Sequence, residues 1–343
     1  MKTKKKLDSN TVLILITIAL FIVMYAFGCI IYANKGFGNL QTFLNVLINN
    51  AGLLCVTAGM TCVMIIGGID ISVGSLIAMD CMLLVWGMTH WKFSAVTMVL
   101  MVLGIGIVFG AVQGFLVGYL DIQPFIVTMA GMFFARGMTA VICTDQISVT
   151  EADNAVFYSW ANAKIKLPEF LGTVNKHGKI VAPFIRPAVL IAILVVIVIF
   201  FVLKFTKFGR NMYAVGGNET SAKMMGLNVK ATKIKAYILS SFLCSIGGIC
   251  YCMNTMSGSV GQAMGLEMDA IASAVIGGTL LTGGVGNVVG SFFGVLINGT
   301  ITVLVNTNGK LLSSWANIAT AALLCVFIIL QSVFGLIKAR KNK

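Results

Sequence analysis

The chain has 343 residues, of which 58% are hydrophobic and 10% charged, and its mean hydropathy is +0.98. Soluble domains run at about 45–50% apolar and about 25% charged residues, and a globule of this length cannot hide so much apolar surface. A soluble enzyme, a disordered tail and a secreted disulfide scaffold are excluded, and the net charge of +13 calls for an explanation from membrane orientation.

In chain order, apolar runs long enough to read as spans fall at 11–32, 46–66, 71–88, 95–118, 124–142, 187–203, 236–253, 269–283, 286–306 and 314–335; a span needs about 20 such residues. The expected fold is all-α and polytopic, with about ten transmembrane helices, membrane lipid as its surroundings and both termini on one side. The opening MKTKKK and Thr11–Ile31 look like a targeting signal, but about twenty apolar residues exceed a cleavable core of ~7–15, so an uncleaved first span is expected. Ala26-Phe27-Gly28-Cys29 only faintly resembles a lipoprotein cleavage box. Trp86 and Trp91 mark an interface, as aromatic belts do. The run at 269–283 is short and glycine-rich, so spanning and re-entry are both open for it.

Charge placement orients these spans. Lys2, Lys4, Lys5 and Lys6 open the chain, Lys338, Arg340, Lys341 and Lys343 close it, and Lys204, Lys207, Arg210, Lys223, Lys230, Lys233 and Lys235 crowd one polar segment. The positive-inside rule makes all three cytoplasmic, and no nucleic-acid partner is needed to account for the basicity. The connection 143–186 carries Lys164, Lys166, Lys176, Lys179 and Arg186 against Asp145, Glu151, Asp153 and Glu169. This near balance, together with span parity, places it outside, and parity places 204–235 inside.

An internal repeat is also visible. GIGIVFGAVQGFL (104–116) returns as GVGNVVGSFFGVL (284–296), with Gly104, Gly106, Gly110, Gly114 and Leu116 matched by Gly284, Gly286, Gly290, Gly294 and Leu296 at one offset of 180 residues. Glycines four apart share a helix face and admit a neighbouring helix. The two copies lie five spans apart and point in opposite directions, which is the mark of two inverted-repeat halves. Gly104, Gly110, Gly114, Gly284, Gly290 and Gly294 are the helix-packing candidates.

Charges inside a membrane are expensive and therefore informative. Asp70 and Ser72 sit in GGIDISVGS (67–75), a glycine-broken junction, where an Asp can cap the following helix by accepting from N–H groups near Val73 or can line a pathway or gate. Glu267 and Asp269 in GLEMDAIAS (265–273) occupy a second broken element. These four residues are the pathway or gate candidates. Asp80 and Arg136, inside the third and fifth runs, read as a structural pair. No histidine or carboxylate relay steps through one helix, and catalytic residues and a metal site are not expected: two histidines, His90 and His177, and nine cysteines set mostly in apolar runs offer no ligand spacing.

Within 204–235, NETSAKMMG (218–226) predicts a short capped helix between flexible Gly216-Gly217 and a basic stretch. Asn218 is its N-cap, Glu219, Thr220, Ser221, Ala222, Lys223, Met224 and Met225 form its body, and Gly226 its left-handed end. A partner's grip and an ordinary surface role both fit that composition. No ATP-binding loop is present: Gly178-Lys179 and Gly309-Lys310 are each followed by an apolar residue and lack the glycine spacing.

GGIDISVGS, QPFIVTMAGMFFARG (123–137), FGRNMYAVGGNETSAKMMGLNV (208–229) and LEMDAIASAVIGGTLLTGGVGNVVGS (266–291) resemble, in this order and over nearly the whole chain, the permease subunits of ribose-type sugar ABC importers. Within that family the chain is most similar to the galactofuranose importer permease. The resemblance implies one permease domain over 1–343 in a bacterial-type inner membrane, working with a second permease, identical or related, and with a separate ATP-binding subunit that uses the ATP. An external sugar-binding protein would complete the importer. It implies that Asn218–Gly226 is the coupling helix seated on the ATPase, and that this chain is no enzyme and binds no cofactor. A secondary transporter would share inverted repeats and broken helices but would need ion-coupling groups.

Overall fold

In hydrocarbon each backbone polar group must find its partner within its own segment, so long apolar runs fold as helices. A computed structural model of the chain describes residues 9–174, 180–312 and 314–341. Lys2, Lys4, Lys5, Lys6, Lys176, His177, Gly178, Lys179 and Lys343 lie outside the described residues. The helices are α1 (Ser9–Ile31), α2 (Leu40–Asn49), α3 (Ala51–Ile65), α4 (Val73–Thr89), α5 (Ala95–Gly118), α6 (Pro124–Ile142), α7 (Ala155–Asn162), α8 (Pro187–Phe205), α9 (Lys207–Gly217), α10 (Glu219–Met224), α11 (Val229–Thr255), α12 (Leu266–Ile276), α13 (Val288–Asn308) and α14 (Ser314–Lys341). Six two-residue strands, β1 (Ile147–Ser148), β2 (Ile165–Lys166), β3 (Thr173–Val174), β4 (Ile180–Val181), β5 (Phe184–Ile185) and β6 (Ser257–Gly258), pair antiparallel as β1–β6, β2–β5 and β3–β4. The connection 143–186 is therefore a small cap with its own helix and hairpins rather than a plain loop.

The number of spans departs from the expected ten. Among the described residues seven helices (α1, α5, α6, α8, α11, α13 and α14) are long and apolar enough to cross a membrane, and the α2–α3 pair, bent by 56°, makes an eighth if taken as one broken span. The runs at 71–88 and 269–283 instead fold as α4, of 17 residues, and α12, of 11; at 1.5 Å per residue α12 reaches only about 16 Å. Glycine ends it early: Gly277 is its C-cap, and Gly278, Gly283 and Gly284 all take positive φ.

Contacts between connections define two ends of the bundle. At one end Lys35 donates to the Thr307 carbonyl (2.6 Å), Lys92 pairs with Asp153 (3.2 Å), and β1 pairs with β6. At the other, Gly284 N–H donates to the Ile65 carbonyl (2.8 Å), Tyr213 Oη to the Gly286 carbonyl (2.8 Å), and Lys233 stands 3.5 Å from Asp121. Helix α3 runs toward this second end and α11 away from it.

That inversion organises the packing. In the first half α4 packs on α5 and α6; in the second, α12 packs on α13 and α14. Each half also lends its leading helix to the other, since α11 packs on α4 and α5 while α3 packs on α12 and α13. The two leading helices cross where small residues allow it: a Cβ on Gly52 would stand 2.9 Å from the Gly247 carbonyl oxygen, and one on Gly59 3.0 Å from that of Ser240. Every residue of α3 is buried, as expected for a helix that is apolar all round, whereas α1, α5, α6, α8 and α14 turn side chains such as Ile22, Val108, Phe133, Leu194 and Ile329 outward.

Candidate functional site

The first broken segment, 66–72, folds back on the end of α3, with Gly67 at φ +80° and Gly68 N–H donating to the Val63 carbonyl (3.0 Å). Asp70 and Ser72 are both fully buried here. One Asp70 oxygen accepts from Ser72 N–H (3.1 Å) and Ser72 Oγ (2.5 Å), and the other from Ser240 Oγ of α11 (3.2 Å). Gln113 of α5 donates to Ser72 Oγ (3.0 Å), and Thr128 of α6 to the Ile69 carbonyl (3.2 Å). The acid thus serves the backbone ahead of α4, but through Ser72 and not Val73, because Ser72 already has helical dihedrals as the N-cap. Ser240, Gln113 and Thr128 escaped the sequence reading; the legible signal was polar side chains inside otherwise apolar runs.

The second broken segment, 256–265, descends from β6 alongside α4. A Cβ on Gly258 would stand 2.8 Å from Met82 Cα, and one on Gly74 2.8 Å from the Ala263 carbonyl oxygen. The segment therefore dips by about 12 Å at a helical rise of 1.5 Å per residue. Glu267, in the first turn of α12, then brings its carboxylate against Gly74. The beginnings of α4 and α12 meet inside the bundle, and Asp70, Ser72 and Glu267 gather round them. Asp269 does not join them: two residues on along a helix is the opposite face, and it lies beside Asn298 of α13.

Asp80 and Arg136 form no pair. Arg136 Nη1 donates to the carbonyls of Val260 (2.6 Å) and Gln262 (2.8 Å). Asp80 faces α11 instead, with Gly248 and Ser245 as neighbours, and among the described residues neither of its oxygens has a hydrogen-bond partner. A broken helix leaves carbonyls free, and those of Val260 and Gln262 reach Arg136 while Asp80 faces α11.

The glycines divide similarly. A Cβ on Gly110 would stand 2.6 Å from the Tyr237 carbonyl oxygen and one on Gly114 2.8 Å from that of Ile234, so this face of α5 joins the halves through α11. Gly290 and Gly294 instead press on Gly277 and Ser273 of α12, within one half, and Gly284 packs on Gly217 in the turn before α13. Gly104 meets nothing within 4 Å and faces outward, so it is no packing residue.

At the second end of the bundle the predicted capped helix is α10. Asn218 accepts from Ser221 N–H (2.8 Å), and Gly226 closes it at φ +75°. Ala222 docks on Val215, Leu227 and Val229, while Met224 and Met225 are 83% and 66% exposed. Glu219 binds Lys223 (3.0 Å) and Lys233 (2.9 Å), tying α10 to α11. Partial burial pushes the Glu219 carboxyl up, but the bonds from Lys233 and Lys223 outweigh it and hold the group below its ordinary value. The glycines before α10 are not free hinges: Gly216 and Gly217 lie in the last turn of α9, with Gly216 against the Ile65 carbonyl.

Two inverted halves, broken helices meeting in the interior and polar groups held at membrane depth define a membrane transport protein. The chain belongs to the permease family described as branched-chain amino acid transport system / permease component, whose profile matches residues 42–332. It is 38% identical over 318 residues to the inner membrane ABC transporter permease protein YjfF of Escherichia coli (strain K12), covering 93% of this chain and 91% of that one. It is 32% identical to the fructose import permease protein FruG of Bifidobacterium longum, covering 95% and 92%, and 31% identical to the ribose import permease protein RbsC of Haemophilus influenzae, covering 88% of each. No solved structure matches the chain.

Proposed function

We propose that this chain is the permease subunit of an ATP-driven sugar importer of a bacterial-type inner membrane. Its near full-length similarity to permeases named for fructose and ribose import carries the reading. ATP is hydrolysed by a separate subunit and sugar is delivered by an external binding protein. The basic clusters support cytoplasmic termini and a cytoplasmic α9–α10 end, which leaves the 143–186 cap outside, where a binding protein docks. Arg136 and Glu267 are only part-buried at membrane depth, beside exposed Met264 and Met268. Charges facing hydrocarbon are costly, so a second permease covers this face and encloses a watery path lined by the meeting of α4 and α12.

Coupling to ATP runs through Asn218–Gly226. A two-turn segment transmits a push when both ends are fixed, as Asn218 and Gly226 fix α10, and when its outer face fills a socket, which flexible Met224 and Met225 suit. Met225→Asp places a charge in that socket. Co-purification of the ATPase is expected to fall while membrane insertion and binding-protein contact persist; unchanged ATPase association and uptake in this variant remove α10 from the coupling role. The importer itself is tested in proteoliposomes holding permease, ATPase and binding protein, offered galactofuranose, ribose and fructose. Uptake of one sugar only with ATP is expected, and uptake driven by an ion gradient without ATP makes the protein a secondary transporter. Galactofuranose is the expected sugar, from the resemblance of AGMFFARG, GGNETSAKMMG and DAIASAVIGGTLLTGGVG to that importer's permease.

A further inference from the structure

We propose that Arg136 is a positioning residue that latches segment 256–265 across the transport path, and that each transport cycle requires the guanidinium to let go; this rests on the importer reading. Four observations converge on the segment. First, Met256 and Ala263 take φ of +53° and +55°, a left-handed conformation that residues with a Cβ adopt at a cost and that persists only where the surroundings impose it. Second, β1 holds the first residues of the segment, with Val149 N–H donating to the Met256 carbonyl (2.9 Å), and beyond that pairing the side-chain bonds are local: Gln262 donates to Thr255 Oγ1 and the Ser257 carbonyl (both 3.0 Å) and accepts from Ser259 N–H (3.0 Å). The part beyond β6 can therefore move as a unit about the β1–β6 pairing. Third, the side-chain clamp from outside is a single atom, Arg136 Nη1, bridging the Val260 and Gln262 carbonyls at 2.6 and 2.8 Å. Fourth, Arg136 is part-buried, and no carboxylate oxygen lies within 4.0 Å of it among the described residues.

The chemistry of the clamp suits repeated release. A guanidinium always carries its charge and in a membrane must be satisfied by carbonyls, carboxylates or water. Carbonyl partners hold it without fixing it as a buried carboxylate would, and water entering an opened path can replace them. Because 256–265 leads directly into α12, releasing the carbonyls frees the start of α12 and the Glu267 side chain to part from Gly74. The strain at Met256 and Ala263 favours that departure.

The test uses the complete importer in liposomes, with Ala263→Cys as reporter because Ala263 is 8% exposed while latched. Two quantities are read without ATP: leak of the sugar that the parent imports, and labelling of the reporter by a membrane-impermeant maleimide over the background of the parent's own cysteines. Arg136→Gln, which loses the charge-assisted bonds, is expected to raise both by roughly tenfold. Arg136→Lys, which keeps the charge without the planar fork, is expected to fall between it and the parent. Parent-level leak and labelling in both variants overturn the latch, as does a lower folded yield with unchanged leak per folded transporter, which makes Arg136 merely structural. A parent that imports no sugar with ATP fails the importer reading first, and the latch with it.

Discussion

The segments 66–72 and 256–265 solve one problem with opposite chemistry. Each interrupts helix at membrane depth and leaves backbone groups to satisfy. The first uses an acid, which only accepts, so donors must come to it: Ser72 from within and Ser240 from α11, with Gln113 of α5 backing Ser72. Its sharp turn is left to a glycine, Gly67. The second uses a base, which only donates, and the carbonyls exposed by the break come to Arg136. Two of its three left-handed residues, Met256 and Ala263, have no glycine's freedom; the third is Gly265. In one segment Asp70 and Ser72 are fully buried and tied to three helices; the other is tied by side chain to one helix and by backbone to β1, and faces an open surface. The difference separates a fixed hinge-point from a movable part.

Removing the acid from the fixed segment has the largest expected effect. Asp70→Ala strands Ser72 N–H, Ser72 Oγ and Ser240 Oγ without their acceptor, a loss of about 3 kcal/mol or more if each donor stays dry. Thermal unfolding in detergent is expected to show a markedly lower midpoint. Asp269→Asn should instead leave that midpoint within about 1 kcal/mol of the parent, since Asp269 is part-buried and outside the Asp70 network. Equal destabilisation by the two variants breaks the comparison.

Next in size is the contact behind the fixed segment. A side chain at Gly110 meets the Tyr237 carbonyl and Ile238 Cα, both backbone atoms that cannot swing away. Gly110→Leu is expected to cost about 1–3 kcal/mol by overpacking, seen as lower folded yield and not as separation of intact permeases. Gly104→Leu, on the same helix but facing open space, should fold at parent level. Recovery of Gly110→Leu as intact monomer would show that this face joins subunits instead of halves.

Composition and run length made the helical membrane fold legible, and the repeat at 104–116 and 284–296 pointed to inverted halves. The capped α10 was legible to within one residue, Met225 being its C-cap and not its body, because its signals are local: Asn218 caps it and Gly226 takes the left-handed turn that follows. Span length was less legible, since hydropathy counts apolar residues and cannot see that glycines at 277 and 278 stop α12. The repeat also overstated equivalence: Gly104 lies within a helix, whereas its counterpart Gly284 falls in a turn. Least legible were long-range partners. Asp80 and Arg136 suggested each other by opposite charge, but a broken segment offered Arg136 carbonyls that no sequence pattern advertises.

The smallest expected effect lies at α10 and asks whether burial, and not acidity, makes Asp70 a fixed point. Glu219 is also an acid with two donors, but these are charged lysines and its side chain is 37% exposed. Solvent screening holds its bond to Lys233 to about 0.5–1 kcal/mol, so Glu219→Gln should fold normally and lower the thermal midpoint slightly. The pH dependence has a definite sign. Lysine bonds hold the folded carboxyl below its ordinary value of 4.5, so the unfolded chain takes up the proton first as pH falls. The contribution is complete well above pH 4.5 and disappears as pH drops through the lower folded value. The gap between parent and Glu219→Gln should therefore be constant near neutrality and close in acid. A gap that widens in acid, or one as large as that of Asp70→Ala, would mean that charge pairing at the surface ties this protein as firmly as its buried network does.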